Sequence, residues 1–176
     1  MATKTSAGKL LAAGAGFLGL AVLALGWHPL QSQDQLIVPP LERTIVVPAD
    51  SGWVDTAIDV GPGEELRFSA SGEIDLQRGN PEAVCGAGGI DLITGEQPIP
   101  NANLGALIGK VVQLVASRVD EDSGMEVRDE IFVLFLIGQE NTVTVPIKGR
   151  LYLGINENVL RDNGGQLSVV VVRRPL

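Results

Sequence analysis

The alternation of apolar and polar side chains along this chain changes character twice. Over Leu10–Trp27, reading LLAAGAGFLGLAVLALGW, there is no polar face at all; from Glu42 onward, short runs alternate with the period of two that marks a strand with one buried face. The runs fall at Thr44–Val47, Trp53–Val60, Glu65–Ser71, Ala106–Val115, Ile131–Ile137, Thr142–Ile147, Arg150–Ile155 and Gln166–Arg173. Turn signals such as Gly61-Pro62-Gly63, Ser71-Gly72 and Asn163-Gly164-Gly165 separate several of them. This spacing predicts an all-β fold, an antiparallel β-sandwich or jelly roll, with no helix-period stretch outside the N-terminal segment.

The N-terminal run has the length of a membrane span. Its uncharged residues, at 1.5 Å rise each, extend roughly 27 Å as a helix, close to the hydrocarbon thickness of a bilayer. Lys4 and Lys9 precede it, and Trp27, His28 and Pro29 close it. The expected organisation is a cytoplasmic N-terminus over 1–9, a single transmembrane helix over 10–28, a Pro-containing linker over 29–41 and a β-sandwich over 42–176. The positive-inside rule then puts the N-terminus in the cytoplasm and the C-terminal domain on the outer, periplasmic side. A cleaved signal peptide is the competing reading, because Ala24 and Gly26 loosely fit a cleavage pattern. Gly14, Gly16 and Gly19 form a small-residue face suited to close packing against another membrane helix.

Charge and rare residues narrow the function. Setting aside Lys4 and Lys9 leaves eleven basic residues against twenty-one acidic ones, so the body repels phosphate and nucleic acid is not an expected partner. With one cysteine, Cys85, no intrachain disulfide can form, and with one histidine, His28, a Ser-His-Asp site and a multi-histidine metal site are excluded within one chain. Asp55, Asp59, Glu73 and Asp75 could pair as hydrolytic carboxylates, but nothing else organises them into a site, and no enzyme is expected.

Three stretches stand out from the strand pattern. Gln77–Leu104 holds five Gly and three Pro with little apolar periodicity, which predicts a long excursion over one end of the sandwich. Arg118–Glu130 is strongly acidic; Asp120, Asp122 and Gly124 faintly resemble a helix-loop-helix calcium loop, but Ile131 stands where the acidic final ligand belongs, so a solvated hairpin tip is the better reading. Ile131–Ile137 (IFVLFLI) does not alternate, which predicts a strand buried on both faces, with Ile131, Val133 and Phe135 covered by the protein's own long loop or by a partner.

The last strand pair carries the candidate chemistry. In Gly149–Gly165, GRLYLGINENVLRDNGG, an apolar strand leads directly into Asn156, Glu157, Asn158, Asp162 and Asn163, a cluster of oxygen ligands that suits a hard cation or a sugar. Short side chains capping a turn, with Gly164 and Gly165 at positive φ, would give the same sequence.

Several of these motifs together resemble the PA-IL-like family of bacterial galactophilic lectins. The similar blocks are Asn103–Lys110 (NLGALIGK), Phe135–Gly138 (FLIG), Gly149–Glu157 (GRLYLGINE) and Asp162–Gly165 (DNGG), with Val47-Pro48-Ala49, Trp53 and Phe68–Gly72 fitting the early strands. The resemblance covers most of residues 46–172. It implies a small jelly-roll, galactose-binding β-sandwich in which calcium holds the sugar hydroxyls, with Glu157, Asp162, Asn163 and the main-chain carbonyl of Leu76 as metal ligands and Asn156 beside the ligand. The chain departs from the family in carrying Glu for the usual Asp, a shorter Asn156–Asp162 loop and no histidine to meet the sugar.

Two functions follow as expectations. The first is a non-catalytic accessory subunit of a larger bacterial membrane complex, respiratory, photosynthetic, secretory or transport, docking on other membrane protein subunits through its span and its lectin-like domain. The alternative is a membrane-tethered, calcium-dependent galactoside lectin, with carbohydrate and membrane lipid as partners.

Overall fold

A computed structural model describes residues 41–174. The expected span over 10–28, with Gly14, Gly16 and Gly19, lies outside the described residues. Among the described residues no helix is long and apolar enough to cross a membrane.

The described chain is all β, apart from one 3₁₀ turn at Pro81–Ala83. Its strands are β1 (Leu41–Pro48), β2 (Val54–Val60), β3 (Glu65–Asp75), β4 (Val84–Cys85), β5 (Leu107–Val119), β6 (Glu126–Leu136), β7 (Glu140–Thr144), β8 (Gly149–Ile155) and β9 (Gly164–Arg174). One antiparallel sheet runs β1-β9-β3, and β3 continues to both β7 and β4 along its far edge; the other runs β2-β8-β5-β6.

The period-two pattern decides what faces inward. Leu66 and Phe68 on β3, Leu151 and Leu153 on β8, and Leu167, Val169 and Val171 on β9 are each at or near zero exposure, and together they fill the space between the sheets. Each such side chain contributes about 1.5–3 kcal/mol by leaving water. Gly72 is one position where only glycine fits: φ is +107°, and a Cβ would stand 2.6 Å from the Gln166 carbonyl oxygen of β9.

The short β4 lies inside the expected excursion, and β7, at Glu140–Thr144, stops short of the expected Ile147; two further elements differ in kind from the sequence pattern. The run expected over Trp53–Val60 starts at Val54 and carries a bulge between Asp55 and Ile58. Ala57 there sits at φ +54°, held by its N–H donating to Asp55 Oδ1 (2.8 Å), while the Thr56 hydroxyl donates to the Leu151 carbonyl (2.7 Å). Alternation of residue types gives no sign of such a bulge, because side-chain capping produces it.

The second difference is β6. It is an edge strand of its sheet, and the described residues do not bury both of its faces. Val133 and Phe135 are half-buried; the Phe135 ring occupies the space over Gly109 and lies 5.8 Å from Phe68. Ile131, Phe132 and Leu136 are exposed, Phe132 to 59%. Phe132 and Leu136 pair with Val112 and Ile108, where β8 still backs β5, and are exposed because they stand on the face of the edge strand opposite to Val133 and Phe135. Ile131 is exposed because β8 pairs with β5 only over Leu107–Val112, whereas β5 and β6 pair on to Val119 and Glu126. Beyond Gln113 and Ile131 the two strands form a ribbon without a third strand, and the acidic stretch is its hairpin tip. Asp120 accepts hydrogen bonds from the Ser123 N–H and hydroxyl, which hold its carboxyl below the usual range, and Arg118 bridges the strands to Asp129 at 2.8 Å.

Candidate functional site

The ends of β3 and β8 and the starts of β5 and β9 meet at one end of the sandwich. Asp75 pairs with Gly164, and Leu107 pairs with Ile155, so the loop 156–163 emerges beside the turn that leaves β3. The Arg78 N–H donates to the Asp162 carbonyl (2.9 Å) and fixes the two together.

At the start of that loop Asn156 is fully buried, and its side chain is consumed by the protein itself. Its Oδ1 accepts from the Ile99 N–H (2.8 Å), and its Nδ2 donates to the carbonyls of Ile99 (3.0 Å) and Asn103 (3.1 Å). Its main chain adds bonds from Gly105 N–H and to Ala106 carbonyl. Asn156 is therefore the anchor of the long excursion over 77–104, and its amide oxygen is spent on Ile99 and does not face the rim.

At the far end of the loop the bookkeeping is different. Asn163 is also fully buried, and its Nδ2 donates to Glu157 Oε2 (2.8 Å) and to the Ala49 carbonyl (3.1 Å). Its Oδ1 is buried without a hydrogen-bond partner, and so is Asp162 Oδ1. Among the described residues two other buried polar atoms lack hydrogen bonds, Glu64 Oε2 and Arg173 Nε; they belong to side chains of opposite charge, with Arg173 Nη1 3.8 Å from Glu64 Oε2, so charge offsets their burial. The orphaned oxygens of Asp162 and Asn163 have no such partner among the described residues, and an unpaired buried oxygen costs about 1–3 kcal/mol.

Charge gathers at the same place. Burial raises the Glu157 carboxyl above its ordinary range; the Asn163 hydrogen bond offsets part of this, and the neighbouring Asp162 charge adds to it. The half-buried Cys85 thiol is pushed up to about 11 by burial, then by Glu157 and Asp75. Negative charge and uncompensated oxygens thus share one corner, which suits a hard cation with oxygen ligands. Leu76 has its side chain in the core, against Gly105, and its N–H donates to the Ala83 carbonyl (3.0 Å), so its carbonyl is the group it has left to offer a ligand. Among the described residues no three His, Cys, Asp or Glu side chains gather as a metal cluster, so a cation here would rest on Glu157 and Asp162 together with amide and main-chain oxygens.

Two features carried no sequence signal. Lys110, on the outer face of β5, holds its ammonium 4.3 Å from the Trp53 ring centroid, 5.5 Å from Tyr152 and 5.9 Å from Phe132, and burial lowers its pKa. A cleft of about 760 Å³ opens where the β6–β7 turn passes the 101–103 segment. Both arise from residues far apart in sequence that the sandwich brings together.

No protein-family model matches the chain. No curated protein matches it either. Among solved structures, one described as "EclA N-terminal domain; PllA-like lectin" is similar, with a TM-score of 0.50 at 20% identity, covering 74% of this chain and 95% of that one. At that identity the likeness shows a shared lectin-like β-sandwich fold.

Proposed function

We propose that this chain binds carbohydrate through a calcium ion held at the loop between β8 and β9. The observation that carries the reading is the pair of buried, unpartnered oxygens, Asp162 Oδ1 and Asn163 Oδ1, beside the charge-strained Glu157. When bound, calcium supplies the missing partner for these oxygens and open coordination positions for sugar hydroxyls. The chain's own residues do the rest. Asn163 orients Glu157 through its Nδ2, Ala49 fixes the Asn163 amide so that its oxygen faces the corner, and Arg78 holds the Asp162 main chain. The lectin description of the structural neighbour supports a sugar as the ligand, and the resemblance to galactophilic lectins makes a galactoside the first class to try. The reading assigns no catalytic role. A glycan array probed with calcium and with EDTA tests it: signal that vanishes in EDTA and in Asp162→Ala is the expected result, and an array blank under both conditions would sink it.

On this reading the 10–28 segment tethers the sandwich to the bacterial inner membrane, with the sandwich in the periplasm. Protease added to intact spheroplasts should degrade the body; protection equal to that of a cytoplasmic marker counts against this topology.

One observation favours a second reading, docking onto other membrane protein subunits. The β5–β6 ribbon exposes Leu114, Val115, Val119, Met125, Ile131 and Phe132 on an arm with an acidic tip. An isolated two-stranded ribbon is marginal in water, and an apolar stem with an acidic tip suits a protein surface that is apolar and basic. Mild-detergent extraction should then recover the chain in a stoichiometric complex, and a Gly14→Leu, Gly16→Leu change should loosen it.

A further inference from the structure

We infer that the cleft between the β6–β7 turn and the 101–103 segment is a second ligand site, one that takes a neutral saccharide without metal. Its volume, about 760 Å³, falls within the size of small-molecule sites. Its lining includes the small side chains of Ala70, Ala102 and Ala106, which leave the space between the β6–β7 turn and the 101–103 segment open to a ligand. Its rim carries groups that both donate and accept hydrogen bonds: the Ser69 hydroxyl and the amides of Asn101 and Gln139.

Charge selects among ligands. The single ionised lining residue, Glu140, is bound by Arg67 at 2.5 Å, so the cleft offers no free cation for a phosphate or carboxylate and no aromatic ring for a base. Hydroxyl-rich, uncharged molecules match such a lining, because each hydroxyl can both give and take a hydrogen bond. The walls are held in place from both sides. Ala70 N–H donates to the Gln139 carbonyl (2.8 Å), Ile137 and Gly138 N–H groups donate to the Leu107 carbonyl (3.0 and 2.9 Å), and Asn156 pins the 101–103 wall. None of Leu76, Glu157, Asp162 or Asn163 lines the cleft, so it stands apart from the candidate calcium corner.

The test uses the full chain in a zwitterionic detergent, since a glycosidic detergent headgroup would compete. Glucose, galactose, mannose, N-acetylglucosamine, maltose and lactose are each titrated in EDTA by isothermal calorimetry and saturation-transfer NMR. At least one should bind saturably. A double Asn101→Ala, Gln139→Ala change should weaken it about tenfold through lost hydrogen bonds, Ser69→Tyr should block it by filling the cleft from an exposed strand position, and Asp162→Ala should leave it unchanged. Far-ultraviolet circular dichroism confirms that the variants fold. Absence of saturable binding by every sugar in EDTA overturns the proposal, as does binding that both cleft variants leave intact. Failure of the calcium-dependent array signal with metal-free binding retained would remove the calcium reading alone.

Discussion

Asn156 and Asn163 stand at the two ends of one loop, equally buried, and differ in what their side chains leave over. Asn156 satisfies its amide entirely against Ile99, Ala102 and Asn103, whereas Asn163 keeps an oxygen with no partner, next to Asp162 with another. A satisfied buried amide is architecture; an unsatisfied one, repeated at the adjacent residue, is left without a partner among the described residues, and that is what the proposed calcium would supply. The two ends can therefore be separated experimentally.

The largest effect belongs to the anchor. Asn156→Ala leaves the Ile99 N–H unpaired and removes one donor from the carbonyls of Ile99, Ala102 and Asn103, which keep their bonds from Ala102 N–H, Gln97 and Ala106 N–H. It should cost about 2–3 kcal/mol in urea unfolding. The loss should be the same with calcium or EDTA. A calcium-dependent loss would place Asn156 in the metal corner and dissolve the contrast.

A smaller effect concerns pH. Because burial raises the Glu157 carboxyl in the folded state, its protonated form favours folding; that contribution is fully present below the ordinary glutamate value of about 4.5 and is lost as pH rises through the raised folded value. In EDTA, Glu157→Gln should gain stability over the wild type as pH climbs through this window, and saturating calcium should reverse the order. Parallel stability-pH curves in EDTA would show that Glu157 is not strained.

The smallest stability effect should come from the ribbon. Phe132→Thr with Val119→Thr changes side chains already in water, so unfolding should shift by no more than about 0.5 kcal/mol per site. The same pair should abolish any co-purifying partner if the arm docks. Unchanged recovery of a complex would show that the ribbon is not its contact.

Much of the sandwich is legible from periodicity because one face of most strands is buried: Leu66 and Phe68, Leu151 and Leu153, and Leu167, Val169 and Val171 alternate as the core requires. The bulge at Ala57 is not legible, since it depends on Asp55 and Thr56 side chains bonding main chain. Nor is the exposure of Ile131 and Phe132, because strand composition cannot reveal that β6 is an edge strand or that β8 stops short of Gln113, the partner of Ile131. At the candidate site, residue types point to Glu157, Asp162 and Asn163, but only three-dimensional hydrogen-bond accounting separates Asn156 from them. The 760 Å³ cleft has no sequence signature, being assembled from four separate segments.

If the Asp162 and Asn163 oxygens await calcium, titrating the ion into the EDTA-stripped full chain and following its melting will show it. The wild type should bind calcium and gain about 2.7 kcal/mol at one hundred times the dissociation constant, while Asp162→Ala should melt identically with and without the ion. A wild-type melting curve unmoved by millimolar calcium would contradict the account and leave Asp162 and Asn163 as caps of a turn.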